Sequence, residues 1–195
     1  MNIIERVKNI LTTPKAEWQT IEAENAPYAK VCTSYVALLA LIPAIASLIG
    51  YGLTGFHGFH HSFGLGIGQA FVQYIVMVAG AYISAVIIDA LAPSFGATKN
   101  LDKAYSLVAY AYTPMFVAGI FYLIPALSWI ILLAGLYSLY LLYLGLQPMM
   151  KQSDDKTIGY FIVSLIVVGA VTFVLAGVLG AIVTGIFMGG MMMAR

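Results

Sequence analysis

Charged side chains are scarce in this sequence. Only 9% of its 195 residues are Asp, Glu, Lys or Arg, whereas 62% are hydrophobic. An ordinary soluble domain has about a quarter of its residues charged, so the composition excludes a chain whose surface faces water throughout. The mean hydropathy of +0.94 indicates that a bilayer is the solvent of most of the protein.

Two other scarcities exclude further classes of protein. Cys32 is the only cysteine, so neither an intramolecular disulfide nor a multi-cysteine zinc site can form. The formal net charge is +1 and the basic residues are scattered, so the basic patch typical of nucleic-acid binding is missing. We therefore expect no nucleic-acid partner. No serine elbow, metalloprotease helix motif or phosphate-binding loop occurs, so we do not expect an enzyme either.

Residues 1–30 are the one stretch that is not membrane-like. Apolar residues recur at helical spacing between positions 3 and 11, which is typical of a short amphipathic helix lying on a membrane or against a bundle. The Thr13-Pro14 pair predicts an N-cap and a second short helix to about residue 24. Trp18 lies in that second helix, and we expect it at headgroup depth.

Five long apolar segments follow. Each has about 20 residues or more, enough to cross about 30 Å of hydrocarbon at about 1.5 Å per residue. Spans one to five are predicted over residues 31–53, 66–91, 104–124, 128–146 and 158–188. A tight turn at Pro125 separates spans three and four, since their combined length is too great for one crossing. The predicted fold is all-α, a polytopic bundle of five transmembrane helices over residues 31–190, preceded by the short amphipathic segment.

The basic residues predict the orientation of the chain. Most of them precede span one or lie in the loops after spans two and four: Arg6, Lys8, Lys15, Lys30, Lys99, Lys103, Lys151 and Lys156. The opposite side receives only Arg195. Because cytoplasmic loops are enriched in Lys and Arg, we expect the N-terminus in the cytoplasm and the C-terminus on the periplasmic or extracellular side.

Asp89 is the one acidic residue within a predicted span. A charge in hydrocarbon is costly, so such a residue is functional by default. Asp89 also lies about one turn from the end of span two, where it could simply reach interfacial water or Lys99, and both interpretations stay open. Ala81 and Ala85 precede it at a spacing of four, so we expect the carboxylate to face neighbouring helices on the small-residue side.

Span three offers partners for this carboxylate. The predicted polar core is formed by Asp89 with Tyr105, Ser106, Tyr110, Tyr112, Thr113 and Pro114. Ser106, Tyr110 and Thr113 share one helical face, and their hydroxyls are candidates to hydrogen-bond Asp89. Pro114 removes a backbone donor, which predicts a kink and a free carbonyl in mid-helix. The alternative is that these tyrosines and the proline only serve packing.

Three histidines lie in the glycine-rich loop after span one. His57, His60 and His61 would share one face of a helix, and neutral imidazoles in that arrangement can bind zinc, copper or nickel. The methionines near the C-terminus should emerge on the same side, and thioethers favour Cu(I). No carboxylate or cysteine lies nearby, so a solvated loop is the alternative. We expect no resident cofactor, with a metal ion at these histidines left open.

Small residues form a ridge along span five. They are Gly177, Ala181, Gly185 and Gly189, each four positions from the next. Such a ridge lets another helix approach closely. The pattern is compatible with a contact inside the chain and with a homo-oligomer interface.

Several short motifs occur together along the chain. They are Pro14-Lys15-Ala16-Glu17-Trp18 with Ile21 and Glu22, then Asp89, Phe95-Gly96, Ala104 and Val108-Ala109-Tyr110-Ala111-Tyr112-Thr113-Pro114. The arrangement resembles the Yip family, the Ypt/Rab-interacting membrane proteins of the eukaryotic early secretory pathway and their bacterial relatives. The five predicted spans match that family's architecture over nearly the whole chain.

The resemblance implies the five-helix fold, its orientation and residence in a membrane. Eukaryotic members bind prenylated Rab-type GTPases through a cytosolic N-terminal region; here that region has only about 30 residues, as in the shorter bacterial form. Asp89, Tyr110 and Pro114 carry over as motif positions without an assigned role.

We therefore expect a bacterial inner (plasma) membrane protein that is not an enzyme and that binds or organises other membrane components, protein or lipid. The alternative is a small transporter or channel, for example for metal ions, which would use Asp89 and the three histidines.

Overall fold

The protein is an all-α bundle. The computed structural model describes residues 2–54, 63–127 and 129–193, and no strand occurs among them. Two short helices, α1 (Ile3–Thr12) and α2 (Pro14–Glu24), precede five helices that are long and apolar enough to cross a membrane. In the structure, spans one to five are Tyr28–Gly50, Gly66–Phe95, Leu101–Leu123, Trp129–Met150 and Thr157–Ile182. The predicted fold class is confirmed.

Helices α1 and α2 meet at Thr13, which occupies the predicted N-cap position of α2 but makes no capping hydrogen bond, since its hydroxyl donates to the Asn9 carbonyl. The Asn2 side chain accepts a hydrogen bond from the Ile4 amide at 3.1 Å and so caps α1. Pro14 occupies the first turn of α2, where its missing N–H costs nothing. Asn25 ends α2 in the left-handed conformation, with φ of 47°. We call α1 and α2 together the N-terminal hairpin.

Spans one and two both depart from regular α-helix. The helix of span one begins after Pro27 and contains a π-helical turn, Cys32–Val36, in which the Ala37 amide bonds to a carbonyl five residues back. The helix of span two, Phe63–Leu91, tightens into the 3-10 turn Ala92–Phe95. Gly96 then ends it with φ of 70°, a conformation that glycine adopts without steric cost.

Span three is interrupted where the sequence predicts a kink. It consists of Leu101–Ala111, Thr113–Ala118 and the 3-10 turn Gly119–Leu123. Pro114 cannot donate to the Tyr110 carbonyl, and the Thr113 hydroxyl donates to that carbonyl at 2.7 Å instead. Span three also starts three residues before the predicted position 104, because the Asn100 side chain accepts from the Lys103 amide at 3.0 Å and caps the helix.

Spans four and five are continuous helices. Span four passes through Pro148 to Met150, beyond the predicted end at residue 146, because the proline lies in the final turns, where few helical bonds depend on it. The 3-10 turn Asp154–Lys156 follows. The helix of span five then runs from Thr157 to Met193.

The spans pack around span two, which contacts spans one, three and five. Span four packs on span three, and span five lies mainly against span two. Span one approaches the far half of span three so closely that a Cβ on Gly119 would lie 2.5 Å from the Pro43 side chain. The close packing of these two helices therefore depends on the missing side chain of Gly119.

The N-terminal hairpin packs into the bundle. Trp18 is only 1% exposed, and a Cβ added to Gly145 of span four would lie 2.7 Å from its ring. The Tyr137 hydroxyl of span four donates to the Leu11 carbonyl at 2.9 Å. Trp18 is therefore buried against span four, and its depth relative to a bilayer stays a prediction. Helix α1 packs against the bundle, which is one of the two positions predicted for it.

One end of the bundle collects the hairpin and two loops, residues 96–100 and 151–156. The Thr98 amide donates to the Met150 carbonyl at 2.8 Å, which joins the loops. The ammonium groups of Lys103 and Lys151 lie 3.5 and 3.7 Å from the Glu22 carboxylate, which joins the start of span three and the second loop to α2. We call this the basic end.

Candidate functional site

A buried ion-pair cluster fixes the N-terminal hairpin. Arg6 is 4% exposed, and its guanidinium donates hydrogen bonds to the carboxylates of Glu17 and Glu24. Its Cζ also lies 5.2 Å from the ring centre of Tyr110 in span three, within range of a cation–π interaction. A buried charge is tolerated only when partners replace its hydration. Arg6 thus joins α1, α2 and span three at one point.

A hydrogen-bonded chain continues from this cluster to span one. The Thr113 hydroxyl has a single hydrogen, which goes to the Tyr110 carbonyl, so the Tyr35 hydroxyl must donate to Thr113 Oγ1 across 2.7 Å. The ring of Tyr35 meets that of Tyr110 edge-on, with centres 4.7 Å apart. We call Arg6, Glu17, Glu24, Tyr35, Tyr110 and Thr113 the Arg6 node.

The structure divides the predicted polar core. Tyr110 and Thr113, with Pro114 beside them, belong to the Arg6 node. Tyr112 turns to span two instead: Ser84 donates to the Gly80 carbonyl at 2.6 Å, so the Tyr112 hydroxyl donates to Ser84 Oγ at 3.2 Å.

Two more members of the predicted set lie near the start of span three. The ring of Tyr105 contacts those of Tyr28 and Tyr82, with centres 6.0 and 6.4 Å away. Ser106, the next residue in the chain, is also buried. Tyr105 therefore belongs to an aromatic contact between spans one, two and three.

Asp89 faces inward, as predicted. It is 8% exposed, and Ala81 and Ala85 on the same face of span two are fully buried. Within the described residues its Oδ1 has no hydrogen-bond partner, and no ion pair joins it to Lys99. The hydrogen bonds expected from span three to this oxygen are not formed among the described residues: the Thr113 hydroxyl donates to the Tyr110 carbonyl and the Tyr112 hydroxyl to Ser84, while the Tyr105 hydroxyl has no hydrogen-bond partner there.

Span five supplies the surroundings of Asp89. The buried Tyr160 hydroxyl donates to the carbonyl of Ile88, the residue just before Asp89. The Phe95 ring stacks on Tyr160 with centres 5.1 Å apart and planes 13° from parallel. The carboxylate thus lies where spans two and five meet. We call Asp89, Phe95 and Tyr160 the Asp89 site.

A polar pocket of about 340 Å³ opens at the basic end. It is lined by Glu22, Ala23, Asn25, Thr98, Asn100, Lys103, Met149 and Lys151. The buried Lys103 donates to the Glu22 carbonyl, while Lys151 is exposed. The elements that build this pocket are α2, the loop before span three and the end of span four.

One predicted site falls in a part of the chain that the structure does not describe. His57, His60 and His61 lie outside the described residues, so metal binding there stays a prediction; no group of three His, Cys, Asp or Glu side chains suited to a metal occurs among the residues that are described.

The small-residue ridge lies on an open face of span five. Gly177, Ala181 and Gly185 are exposed, and a Cβ on either glycine would meet no other atom within 4 Å. Gly189 lies among the residues whose surroundings the structure does not describe. At Gly177 and Gly185 the ridge makes no contact with another helix among the described residues.

The model of the Yip1 domain matches residues 8–176. The chain belongs to the Yip1 family. Its Yip1 domain is similar to inner membrane protein YohC of Escherichia coli strain K12, with 28% identity over 166 residues that cover 80% of this chain and 85% of the relative. YohC of Escherichia coli O6:H1 strain CFT073 matches with the same identity and coverage. No solved structure matches the chain.

The motifs on which the Yip resemblance rests gather in two places of this Yip1 domain. Glu17 and the segment from Tyr110 to Thr113 meet in the Arg6 node, with Trp18 buried nearby. Phe95 stacks on Tyr160 in the Asp89 site, and Tyr160 in turn bonds to the carbonyl just before Asp89. The match, which begins at residue 8, therefore covers α2, the second half of α1 and the junction of spans two and five, while Arg6 lies just before it.

Sequence reasoning missed the residues that complete both places. Arg6, Glu24, Tyr35 and Tyr160 were not among the predicted site residues. A signal existed for Arg6, since it stands three positions after Ile3 and four before Ile10, on the apolar face of α1. For the other three, the sequence has no comparable pattern.

Proposed function

We propose that this Yip1-family chain is a non-enzymatic protein of a bacterial inner (plasma) membrane that binds or organises other membrane components, protein or lipid. The docked N-terminal hairpin supports this proposal most strongly. The Arg6 node and Trp18 hold the hairpin in one position, so that its outer side presents exposed Lys8, Lys15 and Gln19 as a preformed polar surface. The E. coli relatives are named inner membrane proteins, which supports the same location.

We further propose that the basic end faces the cytoplasm and the C-terminus the periplasm or exterior. The hairpin and both loops of the basic end contain all the Lys and Arg residues before Arg195 except Lys30 and Lys103, which start spans one and three. The positive-inside rule supports this orientation. A phosphatase that folds only outside the cytoplasm, fused after Arg195, should be active; an inactive fusion with full expression would reverse the orientation.

Native mass spectrometry of the protein in patches of its own membrane tests the binding role. The wild type should retain a stoichiometric protein or lipid, and Arg6→Gln, which undocks the hairpin, should lose it. Leu132→Ala, on the exposed side of span four, is the control and should retain it. A wild-type chain that carries no partner protein and no lipid beyond the bulk composition would contradict the proposal.

A small transporter or channel, for metal ions among other solutes, is the second candidate. The observation in its favour is the buried Asp89 Oδ1, which lacks a hydrogen-bond partner among the described residues. An intramembrane carboxylate in that state is a suitable site for a proton, a cation or a polar solute.

Asp89→Asn separates the two candidates, because it keeps the shape of the side chain and removes the charge. In proteoliposomes it should abolish flux if Asp89 couples transport, whereas exposed Asp155→Asn should not. Unchanged flux of all tested ions and solutes in Asp89→Asn would exclude this residue as the coupling group. For the metal version, alanine at His57, His60 and His61 should lower bound metal, and unchanged stoichiometry would remove that version.

A further inference from the structure

Three separate segments meet around the polar pocket of the basic end. Helix α2 contributes Glu22, the loop before span three contributes Thr98 and Asn100, and the end of span four contributes Lys151. The pocket volume of about 340 Å³ corresponds to roughly ten water molecules at about 30 Å³ each. A phosphate group with part of a glycerol backbone fits within that volume.

The charges in the pocket are unbalanced. Lys103 and Lys151 are its two cationic side chains and Glu22 its one anionic side chain, so the lining has one positive charge in excess. Glu22 Oε1 lies 3.5 Å from the Lys103 ammonium and 3.7 Å from that of Lys151. A single carboxylate is therefore shared between two cations, and a bound anion would complete the pairing.

The neutral residues of the pocket add hydrogen-bond donors. Asn100 Oδ1 already accepts from the Lys103 amide at 3.0 Å, so its amide N–H groups are the atoms with capacity left. Thr98 contributes a hydroxyl and Asn25 a further amide. Asn100 also caps span three, so the pocket lies at the positive end of that helix dipole.

We infer that this pocket binds a phosphate group, the shared chemistry of an anionic phospholipid headgroup and of soluble phosphate compounds. Phosphate offers only acceptor oxygens and a negative charge, which match the excess charge and the donors of the lining. The pocket lies where span three begins and span four ends, at the depth where headgroups border the hydrocarbon. This inference rests on the proposed function and names a ligand class for it.

The test uses two substitutions that both keep the cap of span three. Asn100→Asp retains a side-chain acceptor but adds a negative charge to the pocket, whereas Asn100→Ser retains the cap without charge. The full chain is placed in nanodiscs of phosphatidylcholine and phosphatidylglycerol, and retained lipid is identified by native mass spectrometry. Wild type and Asn100→Ser should retain phosphatidylglycerol, and Asn100→Asp should retain at least about fivefold less.

A second pair separates the pocket from a general attraction of lysines to anionic lipid. Lys151→Gln removes an exposed pocket cation and should lower phosphatidylglycerol retention about fivefold. Lys156→Gln removes an exposed cation from the same loop outside the lining and should not change it. Equal losses in the two variants, or equal retention of both lipids by the wild type, would overturn the inference.

Inorganic phosphate tests whether the bound phosphate group belongs to a lipid headgroup or to a soluble compound. If phosphate raises the melting temperature of lipid-free wild type in detergent but not that of Asn100→Asp, a soluble phosphate compound is the ligand. If only phosphatidylglycerol does so, the ligand is a headgroup. A protein partner that depends on Arg6 in native membranes would survive failure of all these tests, so loss of the ligand class and loss of the proposed function are separable results.

Discussion

Spans three and five reverse the relation between hydropathy and burial that holds in soluble proteins, where the most apolar segments are the most buried. Span five is the most apolar of the five spans, with a mean hydropathy of 2.8, yet only 6% of its most apolar stretch is buried inside the protein. Span three is the least apolar, with a mean hydropathy of 1.4, and 61% of its stretch is buried. Here the most hydrophobic helix is the one most exposed to the surroundings.

The reversal has a physical cause. In water, apolar side chains gain by leaving the solvent, but lipid tails are as apolar as leucine, so that gain is absent between helices in a bilayer. Polar side chains gain instead by meeting each other, as Tyr35, Tyr110 and Thr113 do in the Arg6 node. In this protein, hydropathy therefore marks the lipid-facing helix, and tyrosines and hydroxyls mark the core.

Arg6→Gln, in the buried Arg6 node against span three, should lower the free energy of unfolding more than any other substitution considered. It leaves Glu17, which is 5% exposed, as a buried charge without its cation, at a cost of about 3–5 kcal/mol. The measurement is thermal unfolding in detergent, followed by the fluorescence of Trp18 in a Trp129→Phe background, where it is the only tryptophan.

Two controls accompany Arg6→Gln. Lys8→Gln on the exposed side of α1 should change stability by less than about 0.5 kcal/mol. Replacing both Arg6 and Glu17 by Met should recover much of the loss, since a buried ion pair is replaceable by packed apolar groups. Equal melting temperatures for Arg6→Gln and Lys8→Gln would show that the node does not hold the hairpin.

Gly145→Ala should have a smaller effect at the same contact. The added Cβ would lie 2.6 Å from Leu107 and 2.7 Å from the rigid Trp18 ring, and such overpacking costs about 1–3 kcal/mol. Gly135→Ala on the same helix meets nothing within 4 Å and should be neutral or slightly stabilising. The Trp18 emission maximum reports the displacement; an unchanged spectrum and melting temperature would contradict the tight contact.

Gly185→Leu tests the exposed side of the comparison and should affect the folded monomer least. Among the described residues, no atom of another part of the chain lies within 4 Å of a Cβ there, so we expect a stability change below about 0.5 kcal/mol. If the ridge is a homo-oligomer interface, the same change should dissociate the oligomer in crosslinking or native mass spectrometry. Gly169→Leu, about 160° around the helix, should not. A Gly185→Leu protein that stays oligomeric would exclude this face.

Several features were predictable because their signals are local. A run of about 20 apolar residues is sufficient to indicate a membrane span, whatever the rest of the chain does. Pro114 interrupts span three through its own missing N–H, and Asp89 faces inward because Ala81 and Ala85 define the small-residue side of its helix.

Other features of the site depend on segments far apart in the chain. The carboxylates that pair with Arg6 lie 11 and 18 residues away, and Thr113 meets Tyr35 across 78 residues. Helical periodicity assigns a face to each of these side chains but does not say which other face it meets. Trp18 shows the consequence: an aromatic residue near a membrane surface is typical of an interface anchor, and only the small Gly145 opposite it made burial possible.

The amino-acid sequence by itself determined the solvent, the helical class and the division into five spans, because hydropathy and length act on each segment independently. The tertiary structure decided which polar groups meet. It placed Arg6 against Tyr110, left Asp89 Oδ1 without a hydrogen-bond partner among the described residues and assembled the pocket from three segments. In a bilayer these pairings depend on how apolar helices pack, and packing depends on the shapes of both surfaces together.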